Sequence, residues 1–324
     1  MSGPDEFETI ARLFRPLTQG APEALGLADD AAVIPSRPGF DLVITKDAVV
    51  EGVHFLPRDA PGDVARKLLR VNLSDLAAKG ATPYGYFLAI AWPPGYGEIE
   101  RAAFAAGLAH DQASFGIRLL GGDTVSTPGP LTASVTMLGW VPAGAMVRRD
   151  GARPGQVLLV TGTIGDSGLG LKAAQGLLEG DGAEMLAARY RTPEPRLSLR
   201  EALRAHASAC IDISDGLIAD AIHLEEAGKV AIQIDLERLP LSPAARSWLA
   251  LQPSDAAGLV ELASCGDDYE LLLTADPAAA IPLALAAAAA GFALTPIGRV
   301  FEGAGTTVLR YGRPVLVQKT GWRH

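Results

Sequence analysis

Cysteine is scarce in this sequence: there are two, Cys210 and Cys265, in 324 residues, and they show no C-x-x-C spacing. A disulfide framework and a zinc ribbon are therefore excluded, and a reducing compartment is expected. Histidine is sparse as well. His54, His110, His206, His223 and His324 are scattered without an H-E-x-x-H pair, so a zinc-hydrolase ligand set is missing. Basic charge is in deficit: 28 Lys and Arg against 37 Asp and Glu give a net charge of −9, the wrong sign for binding nucleic acid through its phosphates. The longest apolar run, Ala278 to Leu294, is interrupted by Pro282 and Gly291. It falls short of the roughly 20 residues of a membrane span and is expected to form a buried, Ala-rich helix. Asp5, Glu6 and Glu8 stand where an export signal would be basic and then apolar, so a cytoplasmic protein without membrane contact is expected.

Several catalytic signatures are absent too. The chain has no G-x-x-x-x-G-K-[ST] loop, no H-R-D or D-F-G set and no G-x-S-x-G elbow, so the common phosphate-loop, protein-kinase and serine-hydrolase sites are excluded. Neither cysteine lies in a nucleophile motif, and covalent catalysis has no candidate.

What is present is a globular composition, 48% hydrophobic and 20% charged, in a chain longer than one usual domain. Helical periodicity marks Glu6 to Arg15 (ended by Pro16), Asp63 to Lys79 and Glu98 to Phe115, and Asp41 to Thr45 and Leu131 to Val141 read as strands. The Gly, Pro and charge cluster R-D-G-A-R-P-G-Q at Arg149 to Gln156 suggests a boundary, with domains 1–150 and 151–324. Beyond it, strands are expected at Val157 to Thr161, Val230 to Asp235 and Tyr269 to Thr274, with helices after Ser167 and after Asp215. The mixture predicts an α/β (α+β) protein.

Aspartates recur where apolar runs end beside Gly, Ser or Thr: Asp29 and Asp30, Asp47, Asp75, Asp123, Asp166, Asp212 and Asp215, and Asp267 and Asp268. One such residue is ordinarily a helix cap or turn. So many converging carboxylates would repel one another unless cations lay between them, and hard oxygen donors point to Mg²⁺, with more than one ion expected. Glycines beside them, in G-G-D-T (Gly121 to Thr124), G-T-I-G-D-S-G (Gly162 to Gly168) and D-I-S-D-G (Asp212 to Gly216), suggest loops whose amides approach phosphate oxygens.

In order, A-D-D-A-A, D-A-V-V-E-G-V-H-F, N-L-S-D-L-A-A-K-G-A, G-G-D-T, T-G-T-I-G-D-S-G-L-G-L, I-S-D-G-L, G-D-D-Y-E-L-L and the terminal G-W-R-H span essentially the whole chain. This series resembles the thiamine-monophosphate kinase family, within the aminoimidazole-ribonucleotide synthetase-like superfamily. The resemblance implies a two-domain fold of mixed sheets flanked by helices. It implies a first domain that binds Mg²⁺ and ATP and forms a homodimer, and a second that completes the active site. It also implies ATP-dependent phosphorylation of thiamine monophosphate. Asp30, Thr45, Asp47, Asp75, Asp123, Asp212 and Asp215 match the family's Mg²⁺ ligands; Gly122, Asp123, Arg149 and Ser214 its ATP positions; His54, Asp267 and Trp322 its substrate contacts. Two positions depart from the pattern: Ala28 replaces a glycine before the Asp pair, and Lys46, which cannot ligate Mg²⁺ through its ammonium, precedes Asp47.

Such chemistry needs no general base. A phosphate monoester has its second pKa near 6 and is largely dianionic at neutral pH. What two polyanions require is charge cancellation and in-line alignment, which fits abundant aspartate and the absence of a nucleophile.

Overall fold

A computed structural model describes residues 6–322, and the chain divides into two compact units. One comprises the described residues up to Leu76 together with Ala81–Gly144; the other comprises Ala77–Gly80 and the described residues from Ala145 on. Asp5 and the terminal Arg323 and His324 lie outside the described residues. The division at Gly144 falls ahead of the Arg149–Gln156 stretch. Arg148 O accepts from Cys210 N at 3.2 Å, and Gly151 packs on the Ser208 carbonyl, which ties this stretch to the second unit.

The first unit begins with α1 (Glu6–Thr9), where a continuous helix to Arg15 was expected. The helical path runs on instead through π-type turns at Ile10–Phe14 and a 3-10 turn at Arg15–Thr18 that seats Phe14 and Leu17 in the interior. There follow β1 (Phe40–Val50), α2 (Pro61–Ala78), β2 (Thr82–Trp92), α3 (Glu98–Phe115), β3 (Leu119–Ser126) and β4 (Thr132–Pro142). The sheet order is β1-β4-β2-β3; β2 and β3 are parallel, joined through α3 as a parallel crossover requires, and the other pairs are antiparallel. Helices α2 and α3 cross where Gly62 meets Gly107, since a side chain at Gly107 would overlap the Gly62 carbonyl. Leu68, Leu69, Leu73 and Leu76 of α2, Phe104 and Leu108 of α3, and Val135 and Met137 of β4 are buried. Along β1 burial alternates: Val43 and Val49 face inward, while Leu42, Ile44, Lys46 and Ala48 are exposed. The period of two places Thr45 and Asp47 on the inward side.

The second unit contains β5 (Val157–Thr161), α4 (Asp166–Ala174), α5 (Ala183–Arg191), α6 (Arg200–His206), β6 (Ala209–Asp212), α7 (Leu217–Gly228) and β7 (Ala231–Asp235). It continues with α8 (Pro243–Ala250), α9 (Asp255–Ala263), β8 (Leu271–Ala275), α10 (Ala280–Ala289), β9 (Leu294–Phe301), β10 (Gly305–Arg310) and β11 (Arg313–Pro314). The strands form one sheet in the order β11-β10-β7-β9-β5-β8-β6, antiparallel except for the β7–β10 pair. Leu158 and Val160 of β5, Ile211 of β6, Leu217, Ile218 and Leu224 of α7 and Leu272 of β8 share one core. The Ala-rich run does form a helix, α10, but it is not buried throughout: Leu283 and Ala287 are covered while Ile281 and Leu285 are 66% and 67% exposed. Alanine's helix propensity shapes this segment, and a helix without polar residues turns an apolar face to solvent when only one side packs.

Candidate active site

In the first unit, the predicted residues on β1 are organised by α2. Thr45 Oγ1 donates to Asp75 Oδ2, and Asp47 N donates to Asn72 Oδ1 at 3.1 Å. Asn72 is fully buried and returns its Nδ2 to Leu68 O at 2.9 Å; the Asp47 carbonyl accepts from Ser134 Oγ at 3.0 Å. Asn72 and Asp75, three apart on one helix, thus share a face toward the strand. Burial pushes the Asp47 carboxyl up to about 7, and the charge and hydrogen bonding of Asp75 add to the rise. Two carboxylates and a hydroxyl gathered here are hard oxygen donors whose repulsion a divalent cation would relieve, so the residues fit Mg²⁺. Lys46 points to the opposite, exposed face of β1 and competes with none of them.

Asp30 and Asp123 belong to a cleft of this unit, of about 460 Å³, which they line with Asp29, Gly122, Leu88 and Phe14. Gly122 faces Leu88 in the β2–β3 ladder, and any side chain there would overlap the Leu88 carbonyl oxygen, so glycine is required for strand closure. Ala28 has φ −116°, outside the left-handed region, which is why alanine serves where the family has glycine. His54 lies on the turn after β1, its backbone N donating to Val50 O at 2.9 Å.

In the second unit, Ser214, Asp215, Asp267 and Trp322 form one group. Beyond the β6–β8 pair, Tyr269 N donates to Ile213 O and Asp267 N to Ser214 O, each at 2.8 Å; Trp322 N donates to Asp215 O at 2.8 Å. A side chain at Gly266 would press on the Ser214 carbonyl and one at Gly321 on that of Asp215, so these segments lie in direct contact. Asp267 is left-handed, φ +67°, a conformation Asp tolerates better than most residues. Asp212 ends β6 and is buried. Arg149 is exposed on the short turn that flanks β6. Trp322 is 48% exposed, with Lys319 Nζ 5.6 Å from its ring centroid.

Two of the three glycine loops expected to cradle phosphate, those at Gly162 to Gly168 and Asp212 to Gly216, are otherwise engaged. Asp268, 1% exposed, accepts from Gly165 N at 2.7 Å and Ser167 N at 3.1 Å, filling the anion position at the start of α4. Asp220 Oδ2 accepts from Ser214 N at 3.1 Å and from Asp215 N and Gly216 N at 3.2 Å, doing the same for α7. Burial pushes Asp220 up to about 7, and the Asp215 charge adds to it against the three amides. Among the described residues, Asp215, Asp220 and His223 are the one trio whose ligand atoms lie within 4.8 Å of one another. Asp220 and Asn72 were not singled out from sequence; the signals are that Asn72 stands three residues before Asp75 on α2 and that Asp220, on α7, follows Asp215 of the preceding loop by five.

Comparisons with known proteins show the family and the fold. The model for the N-terminal domain of AIR synthase related proteins matches residues 28–141, and that for the C-terminal domain matches residues 153–310. The chain is thus a two-domain AIR synthase related protein with the expected α/β fold. A curated thiamine-monophosphate kinase from Caulobacter vibrioides is 56% identical over 322 residues, covering 99% of this chain and 91% of that protein. The crystal structure of thiamine-monophosphate kinase from Stenotrophomonas maltophilia K279a superposes with a TM-score of 0.84 at 38% identity, covering 97% of this chain and 99% of that one. A structure of AaThiL complexed with AMPPCP and TMP superposes with a TM-score of 0.79 at 30% identity, covering 90% and 89%. Within its class, this chain belongs to the thiamine-monophosphate kinase family.

Proposed function

We propose that this chain phosphorylates thiamine monophosphate to thiamine diphosphate with ATP, by direct in-line, Mg²⁺-assisted transfer without a covalent intermediate. The observation that carries the activity is 56% identity to a thiamine-monophosphate kinase across 99% of the chain. The Mg²⁺ set is Thr45, Asp47 and Asp75 at the β1–α2 contact, Asp30 and Asp123 at the cleft, and Asp212 and Asp215 beside α7. Bound Mg²⁺ supplies charge neutralisation of the phosphates and a template for in-line approach.

Gly122, Asp123, Arg149 and Ser214 serve ATP. Arg149, exposed and always charged, suits a phosphate contact. His54, Asp267 and Trp322 receive thiamine monophosphate; the Asp267 carboxylate answers the thiazolium charge, and the half-exposed Trp322 offers an aromatic face. The protein works in the cytoplasm, away from nucleic acid and membranes; no described helix is long and apolar enough to cross a membrane. It forms a homodimer through the first unit, for which the exposed Leu42 and Ile44 on β1 supply apolar surface.

The metal assignment is tested by measuring thiamine diphosphate formation against Mg²⁺ concentration for Asp75→Asn and Asp215→Asn. Turnover should fall at least about 100-fold at ordinary Mg²⁺ with the fold intact. Near-normal turnover in both would remove them from the ligand set, and a monomer by light scattering would remove the dimer.

A further inference from the structure

The turn that carries His54 is held more firmly than its exposure requires. Val53 N and His54 N both donate to Val50 O, at 3.1 and 2.9 Å, and Gly52 N donates to Phe55 O at 2.8 Å. Gly52, with φ +81°, makes the reversal possible. The imidazole folds back onto the same turn, where Val50 N donates to His54 Nδ1 at 3.1 Å. From α2, Lys67 Nζ donates to the His54 carbonyl at 2.8 Å. Lys67 is 2% exposed, and a lysine is buried that deeply only where fixed acceptors receive its ammonium.

A backbone N–H can only donate, so the Nδ1 it addresses presents a lone pair and carries no proton. The ring is then neutral, with its hydrogen on Nε2. Lys67 fixes the main chain of the residue while Val50 fixes the ring; together they hold Nδ1 against the turn and leave the ring hydrogen to Nε2.

We propose that His54 meets thiamine monophosphate as a neutral hydrogen-bond donor through Nε2–H, and that Lys67 is the positioning residue that holds it so. This rests on the reading of His54 as a substrate contact. It restricts the substrate atoms that His54 can recognise to acceptors, a phosphate oxygen or an unprotonated pyrimidine nitrogen. It also removes His54 as a base toward the acceptor phosphate, because an Nε2 that bears hydrogen has no lone pair to offer.

Three measurements test this. ¹⁵N NMR of histidine-labelled wild-type protein at neutral pH, with the His54 signals assigned by their loss in His54→Gln, should show Nε2 protonated and Nδ1 not; an Nδ1–H ring or an imidazolium overturns the proposal. Lys67→Met should raise KM for thiamine monophosphate roughly threefold to tenfold, the worth of one hydrogen bond, and change KM for ATP by less than about twofold. Equal losses for both substrates, or none, overturn the positioning role; if the variant does not fold, the wild-type NMR result decides. In His54→Gln the amide nitrogen can reach the Nε2 position, whereas in His54→Asn it ends near Nδ1. The Gln variant should therefore bind thiamine monophosphate about fivefold more tightly than the Asn variant, and equal affinity overturns the donor assignment. Wild-type protein that binds no thiamine monophosphate would count against the functional reading, which the NMR result does not depend on.

Discussion

Replacing Glu270 by Gln removes one charge from the interior while keeping the side-chain shape. Glu270 is fully buried; its Oε2 accepts from Arg196 Nε at 2.7 Å and Thr161 Oγ1 at 2.6 Å, and its Oε1 from Arg189 Nη2 and Arg196 Nη2. Thr161 Oγ1 in turn accepts from Leu271 N at 2.8 Å, so the cluster ties β5 to β8, directly after the Asp267–Asp268 segment. Burial alone would push the Glu270 carboxyl up, but the hydrogen bond and charge of Arg196, then the charge of Arg189, more than offset it and leave it below the ordinary range. With Gln, the Arg196 and Arg189 side chains, 9% and 20% exposed, face a neutral amide. Breaking a buried pair this way costs about 3–5 kcal/mol. At roughly 2–4 °C per kcal/mol for a unit of this size, melting should fall by roughly 6–20 °C at neutral pH. Because the folded-state pKa is lowered, the wild-type advantage is present above the ordinary glutamate pKa and lost as pH falls through the folded value. Thermal and urea denaturation followed by circular dichroism at neutral pH and near pH 4 read both effects. A loss under about 1 kcal/mol at neutral pH, or a gap that widens on acidification, would refute the reasoning.

Asp47→Asn should stabilise the metal-free protein at pH 8 while abolishing turnover. The folded-state pKa of Asp47 is raised to about 7, so wild-type stability in EDTA declines as pH climbs from the carboxylate range toward neutrality, and the Asn variant escapes this decline. A lower melting temperature for the variant in EDTA at pH 8 would contradict it. Gly122→Ala should yield little folded protein, because its methyl would overlap the Leu88 carbonyl between β2 and β3; normal expression and melting would show that the strands can part. Asp268→Ala leaves Gly165 N and Ser167 N without their carboxylate, costing about 2–4 kcal/mol at roughly 1–2 kcal/mol per amide and weakening thiamine monophosphate more than ATP. Equal affinities and stability to those of the wild type would exclude that role.

Long periodic segments were legible from sequence: α3 spans Glu98–Phe115 and β5 spans Val157–Thr161 as their patterns indicate. β2 and β3 were not. Thr82–Trp92 and Leu119–Ser126 are buried on both faces over much of their length or carry a Gly pair, and neither alternates in hydrophobicity. In the site, Asp47 and Asp75 stood out among the recurrent aspartates and Thr45 through the family resemblance, although Asp47 lies within β1 and Asp75 within α2 rather than at strand ends. The occupants of the glycine loops were not legible, because Asp268 reaches α4 from a hundred residues away and no local pattern distinguishes an internal carboxylate from a ligand phosphate. Lys46 looked disruptive only while its side of β1 was unknown; the alternation of Val43 and Val49 settles it.

The central claim is that this acidic chain moves a phosphoryl group to thiamine monophosphate by means of carboxylate-held divalent cations. Its most direct test is to incubate purified protein with ATP and thiamine monophosphate, with Mg²⁺ or with EDTA, and to quantify thiamine diphosphate and ADP. The account predicts equimolar product and ADP with Mg²⁺ and neither with EDTA. ADP without thiamine diphosphate, or product formation undiminished by EDTA, would contradict it.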